Sequence, residues 1–515
     1  MSFFSVATIA AVCLLTCTSA QPALKDVTFE AGIRQDRATN KWGGPCVADL
    51  DQDGHYDLIL SHHLKDPVQL YFGKGDGTFI KRVDFETKFK DVHGIQVGPR
   101  TAKTRERILS VSVGGGRGSN LKRPELFSVK PDRSIKDIST SYGFGKIKSR
   151  GRNSIFMNLD MKSSSAKRKS GGGPDIIFAS YLGVSLGSLR QYSYQNNNGY
   201  YSFRPIPVFA RQLRGRVEVT DIDGDGVMEI ISIRHLEIFK LVAPFTFAEI
   251  TSQVLPPDFT MPRLSGTSVV EFDMDNDGDM DLYVARADRR RMTLSDSLPG
   301  DDHTDFLLEN RGGKYVDVSE KAGIRERRDS MGVTAGDFNN DGFVDLFITT
   351  WKGRDYFLMN KGGGRFNTII DTQIRKPTKV IGNNGMAFDY NRDGRIDLMV
   401  GQGDREGPKG YWRLLKNVMQ LTNERNYLHV FVRNAQNRGA TSLHAVVTVV
   451  TGRRRMTRRV GSRGAQAGGG SYLDTVHFGF GSFREATVVM VRWSNGVTQR
   501  KYKVRANQRI TFGVL

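Results

Sequence analysis

Cysteine is nearly absent: the 515 residues hold three. Cys13 and Cys17 fall in the apolar stretch Phe3–Cys17, which ends in the small residues Thr18, Ser19 and Ala20 before Gln21. That stretch reads as a secretory signal peptide over residues 1–20, although it lacks the usual basic start, and it predicts a secreted protein. The mature chain would keep Cys46 alone, which excludes an internal disulfide and with it disulfide-rich thrombospondin-type calcium repeats. Cys46 sits in an apolar run, so an inert, buried thiol is expected. No later apolar run is long enough to span a bilayer, so no transmembrane segment is expected in the mature chain. The chain also lacks a Gly-x-Ser-x-Gly elbow, a Walker loop and a His-Glu-x-x-His pair, so it is not expected to be an enzyme. His62-His63 has no further ligands beside it and reads as a surface pair.

What the chain does have is one acidic pattern, five times. Asp273, Asp275, Asp277 and Asp281 occupy the first, third, fifth and ninth places of a turn whose sixth place is Gly278. Alternate carboxylates on a tight turn supply the six to eight oxygens that Ca²⁺ takes, and the glycine permits the curl. The pattern recurs as Asp49, Asp51, Asp53, Asp57; as Asp221, Asp223, Asp225, Glu229; as Asp337, Asn339, Asp341, Asp345; and as Asp389, Asn391, Asp393, Asp397. The seventh-place residues His55, Val227, Asp279, Phe343 and Arg395 complete the five sets, and about five Ca²⁺ ions are expected. An EF-hand needs a bidentate Glu at the twelfth place. Here that place holds Leu60, Ser232, Val284, Ile348 and Val400. Short β-branched runs follow the ninth residue, so these are strand-loop-strand sites.

The loops start at 49, 221, 273, 337 and 389, which implies a unit of roughly 50 to 60 residues, the length of a four-stranded propeller blade. Two further units are expected in the long first interval: one near residues 100–113, and one whose loop, from Asn158 to Asp175, is interrupted by the basic segment Lys162–Gly173. The octapeptides starting at Asp26, Asp137 and Asp317 share one register, and each precedes a blade. The first predicts that the N-terminal strand completes the last blade and closes the ring. After Asn417 the repeat stops, and alternating strands from Asn426 predict a separate β domain. The fold expected is all-β: a seven-bladed calcium-binding propeller over residues 21–420, then a small β-sandwich-like domain over 421–515.

The five loops on this spacing resemble FG-GAP or VCBS repeats, as in integrin alpha propellers. Asn437-Arg438, His477-Phe-Gly-Phe-Gly481 and Trp493-Ser-Asn-Gly496 resemble the signature elements of the ASPIC/UnbV domain. Together they resemble the cartilage acidic protein family, which implies a secreted calcium-binding matrix protein. The chain departs from that family in having no cysteine-rich EGF-like module, in carrying His444 where the domain usually has Gly, and in being basic.

The net charge is +20, from 75 Lys and Arg against 55 Asp and Glu. Since 18 of those acids stand at ligand places, the rest of the surface is strongly cationic. Arg453, Arg454, Arg455, Arg458 and Arg459 form the densest basic segment, and Arg forks suit sulfate and phosphate oxygens. The sequence therefore predicts an extracellular matrix or adhesion-type binding protein for a matrix or cell-surface protein or a sulfated glycan, with no nucleic acid expected. The alternative is a secreted hydrolase or lyase acting on polysaccharide from a propeller scaffold.

Overall fold

The computed structural model describes residues 23–514, except 35–42, 63–66, 101–104, 115–120, 147–148, 160–174, 181–191, 198–199, 206–215, 260–265, 288–303, 325–328, 352, 370–380, 404–409, 423, 437–439 and 462–468. The expected signal peptide, the basic insertion at 162–173, His63 and Asn437-Arg438 lie outside the described residues.

Seven four-stranded antiparallel meanders cover residues 46–81, 92–137, 151–205, 217–249, 266–317, 330–369 and 381–417. The last takes its fourth strand from the other end of the chain, with Leu24 opposite Asn417 and Asp26 opposite Leu415. Each sheet meets the next: first strands lie side by side where Ser330–Gly336 faces Ile381–Phe388 and where Val92–Arg100 faces Gly151–Met157. The circle is completed by Trp412, whose Nε1 donates to the Ser61 carbonyl at 3.1 Å. At the crowded first strands a side chain has no room. A Cβ on Gly94 would stand 2.2 Å from the Arg152 carbonyl oxygen. Both expected degenerate units are present, as strands Arg107–Val113 and Asp175–Ser180 within complete sheets.

The recurring octapeptide has a local reason. Asp26 Oδ1 accepts from Thr28 N (3.0 Å) and Oγ1 (2.6 Å), and Asp317 Oδ1 accepts from Ser319 N (2.9 Å) and Oγ (2.5 Å). Asp137 and Ser139 repeat the turn. In each case the hydroxyl oxygen then accepts a third-strand amide, from Leu414, Leu307 or Leu126 (2.9 to 3.0 Å). The turn thus ties the fourth strand of a sheet to its third.

The tail forms two sheets. One is three-stranded, Thr475–Gly481, Asn426–Val432 and Gln508–Phe512; the other is four-stranded, Arg454–Arg459, Val446–Thr451, Glu485–Arg492 and Thr498–Arg505. The sequence predicts a separate domain, but in the structure the tail shares a sheet and a core with the ring. Gly469–Gly470 adds a fifth strand to the sheet at 92–137, and Tyr472 N donates to the Val47 carbonyl at 2.8 Å. One continuous apolar core joins Cys46, Ile95 and Leu109 to Leu428, Val447 and Trp493. The reason is that residues 46–48 and 92–97 end against tail segments rather than solvent, so neither part has a closed core alone. Cys46 is fully buried, its thiol donating to the Gly470 carbonyl at 3.2 Å. His62 is buried, not on the surface.

Candidate metal centres

All five acidic loops adopt one conformation. The sixth-place glycines have φ between 86° and 105°, and the fourth places (Gln52, Gly224, Asn276, Asn340, Arg392) have φ between 55° and 72°. Two left-handed residues so close together are what wrap the backbone around a point. The first-place acid caps the curl: Asp389 Oδ2 accepts from Gly394 N at 2.7 Å, Asp337 Oδ2 from Gly342 N at 2.8 Å, Asp221 Oδ2 from Gly226 N at 3.1 Å. The fifth-place acid accepts the seventh-place amide, as at Asp277 and Asp279 (2.8 Å) and at Asp53 and His55 (2.7 Å). That leaves the seventh-place carbonyl, not its side chain, as the group to offer a cation. Val227 and Phe343 have nothing else to offer.

The ninth-place acids do a second job that the spacing does not announce. Asp281 Oδ2 accepts from Met274 N (2.8 Å) while Oδ1 accepts from Asn310 N (2.8 Å). Asp57, Asp345 and Asp397 make the same pair of bonds, to Leu50 and Gly73, Phe338 and Asn360, Tyr390 and Asn417. One carboxylate thereby fastens the loop to the third strand. Asp175, in a unit without the acidic pattern, makes the corresponding loop bond, accepting from Leu159 N at 2.9 Å. Because this fastening needs no metal, Asp345→Ala in chelator should cost roughly 2–4 kcal/mol by leaving two buried amides unpaired. Denaturant unfolding of the metal-free protein measures it, and a cost under about 0.5 kcal/mol would contradict the fastening role.

Burial raises carboxyls in each of the five loops. Asp281 is pushed up to about 9, with Asp275 and Asp273 adding repulsion, and Asp273 to about 7. Glu229 also reaches about 7 by desolvation, and Asp57, Asp345 and Asp397 are held well above the usual carboxylate range. Groups so placed gain from a cation. Ligand oxygens of Asp273, Asp275 and Asp281 lie within 4.8 Å of one another, as do those of Asp49, Asp51 and Asp53 and of Asp221, Asp223 and Asp225. Buried Asp49 Oδ1 and Asp221 Oδ1 have no hydrogen-bond partner. The donor set, all hard oxygen, fits Ca²⁺.

Basic side chains stand against some of these loops, and the sequence gives no local sign of most of them. Arg133 bonds Asp51 (2.6 Å) and Asp53 (3.3 Å), and Arg100 bonds Asp49 (3.0 Å). Lys240 pairs with Asp223, Asp225 and Glu229. Arg395, at the seventh place of its own loop, pairs with Asp393, which Lys416 approaches at 3.5 Å, and His429 meets Asp389 at 3.2 Å.

The tail supplies the rest, and here the basic segment 453–459 is corrected. Its strand lies across the loop-bearing face of the ring. Arg459 is buried between Glu271 (2.8 Å) and Asp221 (3.5 Å), and Thr457 N donates to Asp273 Oδ2 at 3.0 Å. Arg454 donates to the Asp341 carbonyl and stacks on Phe343 with 4.4 Å to the ring centroid. Arg458 is mostly covered, with Asp273, Asp337 and Asp345 as its charged surroundings. Only Arg453 and Arg455 are exposed. The acids that Arg458 and Arg459 meet are thus the chain's own, in the acidic loops and at Glu271. His477, within the tail signature, donates from Nε2 to the Gly394 carbonyl (3.2 Å), and His444 keeps the left-handed conformation (φ 60°) that a glycine would adopt freely, its Nε2 donating to the Phe156 carbonyl at 3.1 Å.

Comparison with known proteins agrees with this division. The FG-GAP-like repeat model matches residues 273–348 and 337–400, and the ASPIC and UnbV model matches 434–514. Cartilage acidic protein 1 of Mus musculus is 27% identical over 255 residues, covering 44% of this chain and 38% of the relative. The Homo sapiens protein of that name is 25% identical over 199 residues, 36% of this chain and 30% of its own. The alignments thus span less than two fifths of these relatives' length. Among solved structures, the exotype rhamnogalacturonan lyase YesX aligns over 92% of this chain and 76% of its own at 13% identity and a TM-score of 0.36, a likeness too loose to carry function. The chain is an all-β protein of FG-GAP-like repeats followed by an ASPIC and UnbV domain, similar at modest identity to cartilage acidic protein 1.

Proposed function

We propose that this chain is a secreted, calcium-loaded binding protein of the extracellular matrix type, in which Ca²⁺ in the Asp loops stiffens a ring that presents surfaces to matrix or cell-surface partners. The observation that carries the reading is the loop at 273–281, where three carboxylates converge within 4.8 Å, all three raised by burial, and none of its acids makes a salt bridge among the described residues, the nearby Arg458 charge reaching Asp273 only at longer range. Asp273, Asp275, Asp277 and Asp281, with the Asp279 carbonyl, would hold the ion, which supplies rigidity. The similarity to cartilage acidic protein 1 supports the extracellular setting. Calorimetric titration of chelator-stripped protein with CaCl₂ tests the reading: binding heat with retained calcium by emission spectrometry is expected, and neither would refute it.

The cationic contact surface moves from 453–459 to the edge strand Thr498–Arg505. Arg500, Lys501, Lys503 and Arg505 are exposed there around Tyr502, 68% exposed, and none is paired with a carboxylate among the described residues. Such a row suits sulfated glycans, and the attraction weakens steeply with salt. Replacing the four bases by Ser should bring heparin-column elution down by on the order of 0.2 M NaCl, as counterion release falls with each lost contact. Unchanged elution of that variant, with a large shift for Arg453 and Arg455→Ser instead, would return the contact to the 453–459 segment.

A further inference from the structure

The five loops do not ask equally for a metal, and the third strand of each sheet shows why. The first residue after each ninth-place acid pairs across the sheet as Leu58 with Tyr71, Ile230 with Phe239, Leu282 with Leu308, Leu346 with Leu358 and Leu398 with Leu415. One step further along the third strand, beside the ninth acid, stand Phe72, Lys240, Glu309, Met359 and Lys416. This is one structural position that is neutral in two sheets, cationic in two and anionic in one.

Where it is Lys240, its ammonium touches Asp223, Asp225 (3.1 Å) and Glu229 (3.6 Å), that is, the third, fifth and ninth places of the loop. The remaining acid, Asp221, meets Arg459 at 3.5 Å. Lys240 and Arg459 together bring two positive charges to the four acids, the charge of one calcium ion. An ammonium among three carboxylates also occupies the space that a cation would need, and an ion entering there would have to displace a side chain that is 27% exposed and tethered by four carbons. Where the position is Glu309, its own carboxylate is held by Arg311 at 2.6 Å and lies near Asp275; the charge of Arg458 lies near Asp273, but no base makes a salt bridge to Asp273, Asp275, Asp277, Asp279 or Asp281 among the described residues. Between these extremes, Lys416 reaches Asp393 together with Arg395, and above Phe72 the missing lysine is replaced by Arg133, stacked 4.7 Å from the ring centroid with its guanidinium on Asp51 and Asp53.

We infer that the residue at this third-strand position decides whether a loop takes calcium: Lys240 is a built-in cation that makes loop 221–229 independent of metal, whereas Glu309 makes loop 273–281 an obligate ion site. The inference rests on the calcium reading above and refines it, since the ions held are then fewer than the acidic loops. It assigns Lys240 a part that sequence spacing hides, because the lysine lies eleven residues beyond its loop's ninth place, on another strand.

Calcium per chain, measured by emission spectrometry after dialysis against buffered micromolar calcium, tests it on the full chain. Lys240→Met, which keeps the apolar stem and removes the charge, should gain one ion relative to the parent; Glu309→Lys should lose one. Far-ultraviolet circular dichroism on the same samples identifies a variant that has not folded, and the other variant then carries the test. Equal, non-zero calcium in the parent and in folded Lys240→Met overturns the inference and leaves the calcium reading standing. No calcium in the parent or either variant overturns the reading itself.

Discussion

On the proposed calcium reading, a chelator should lower the melting temperature by on the order of 10 °C at pH 8. A ligand at a hundred times its Kd contributes about 2.7 kcal/mol per site. Two such sites, at roughly 2 °C per kcal/mol, give that shift. The dependence on pH is the sharper part. In the metal-free fold Asp273 titrates near 7 and Asp281 near 9, both pushed up by burial first and by neighbouring carboxylates after it, against about 4 in the unfolded chain. Between pH 4 and these values the fold holds protons that the unfolded chain has released. Stability therefore falls as pH rises through that window. With Ca²⁺ bound the ion takes the protons' place and the slope disappears. Melting curves in chelator and in calcium should nearly coincide at pH 5 and separate progressively to pH 9. A constant separation, or none, contradicts the assignment of these carboxylates to an ion.

Much of this could be read from residues alone, for a physical reason. A loop that wraps a cation needs oxygens at alternate places and a left-handed residue at the sixth, and both demands are written within nine consecutive residues, as at Asp273–Asp281. Blade length follows from their spacing, and ring closure from the Asp26 turn, which repeats at Asp137 and Asp317 because the same hydroxyl must cap the same third-strand amide. What the sequence conceals is whatever depends on distant pairing. Arg459 reads as an exposed turn residue until its strand is seen laid over Asp221, 238 places earlier in the chain. Lys240 reads as an ordinary surface base until register sets it beside Glu229. The ninth-place acids read as ligands alone, although their bonds to two amides hold the loop to its sheet with or without metal. The tail reads as a separate domain because its own alternation is complete, and local pattern carries no record of a shared core.

That shared core is pinned by one buried ion pair, and breaking it should be among the costliest single changes in the chain. Arg107, with no exposed surface, comes from the sheet at 92–137; its guanidinium donates to Asp474 of the tail at 2.8 Å and to the Gly98 carbonyl at 3.1 Å, and stacks 4.8 Å from the ring centroid of Tyr472. Asp474 also receives Arg100 at 3.4 Å, and Arg100 is the residue that holds Asp49 of the first acidic loop. Removing one partner strands the other charge where water cannot reach it. Asp474→Leu is thus expected to destabilise by roughly 3–5 kcal/mol, and Arg107→Met by a similar amount. The double variant should cost clearly less than the two together, since no buried charge of the pair is then left alone and two apolar groups face each other. Equilibrium unfolding of the four proteins closes the cycle. Additive costs would mean that this ion pair contributes no coupling to the docking of the tail on the ring. A coupling of about 2 kcal/mol or more would show that this pair fixes the register in which the arginine strand meets the acidic loops.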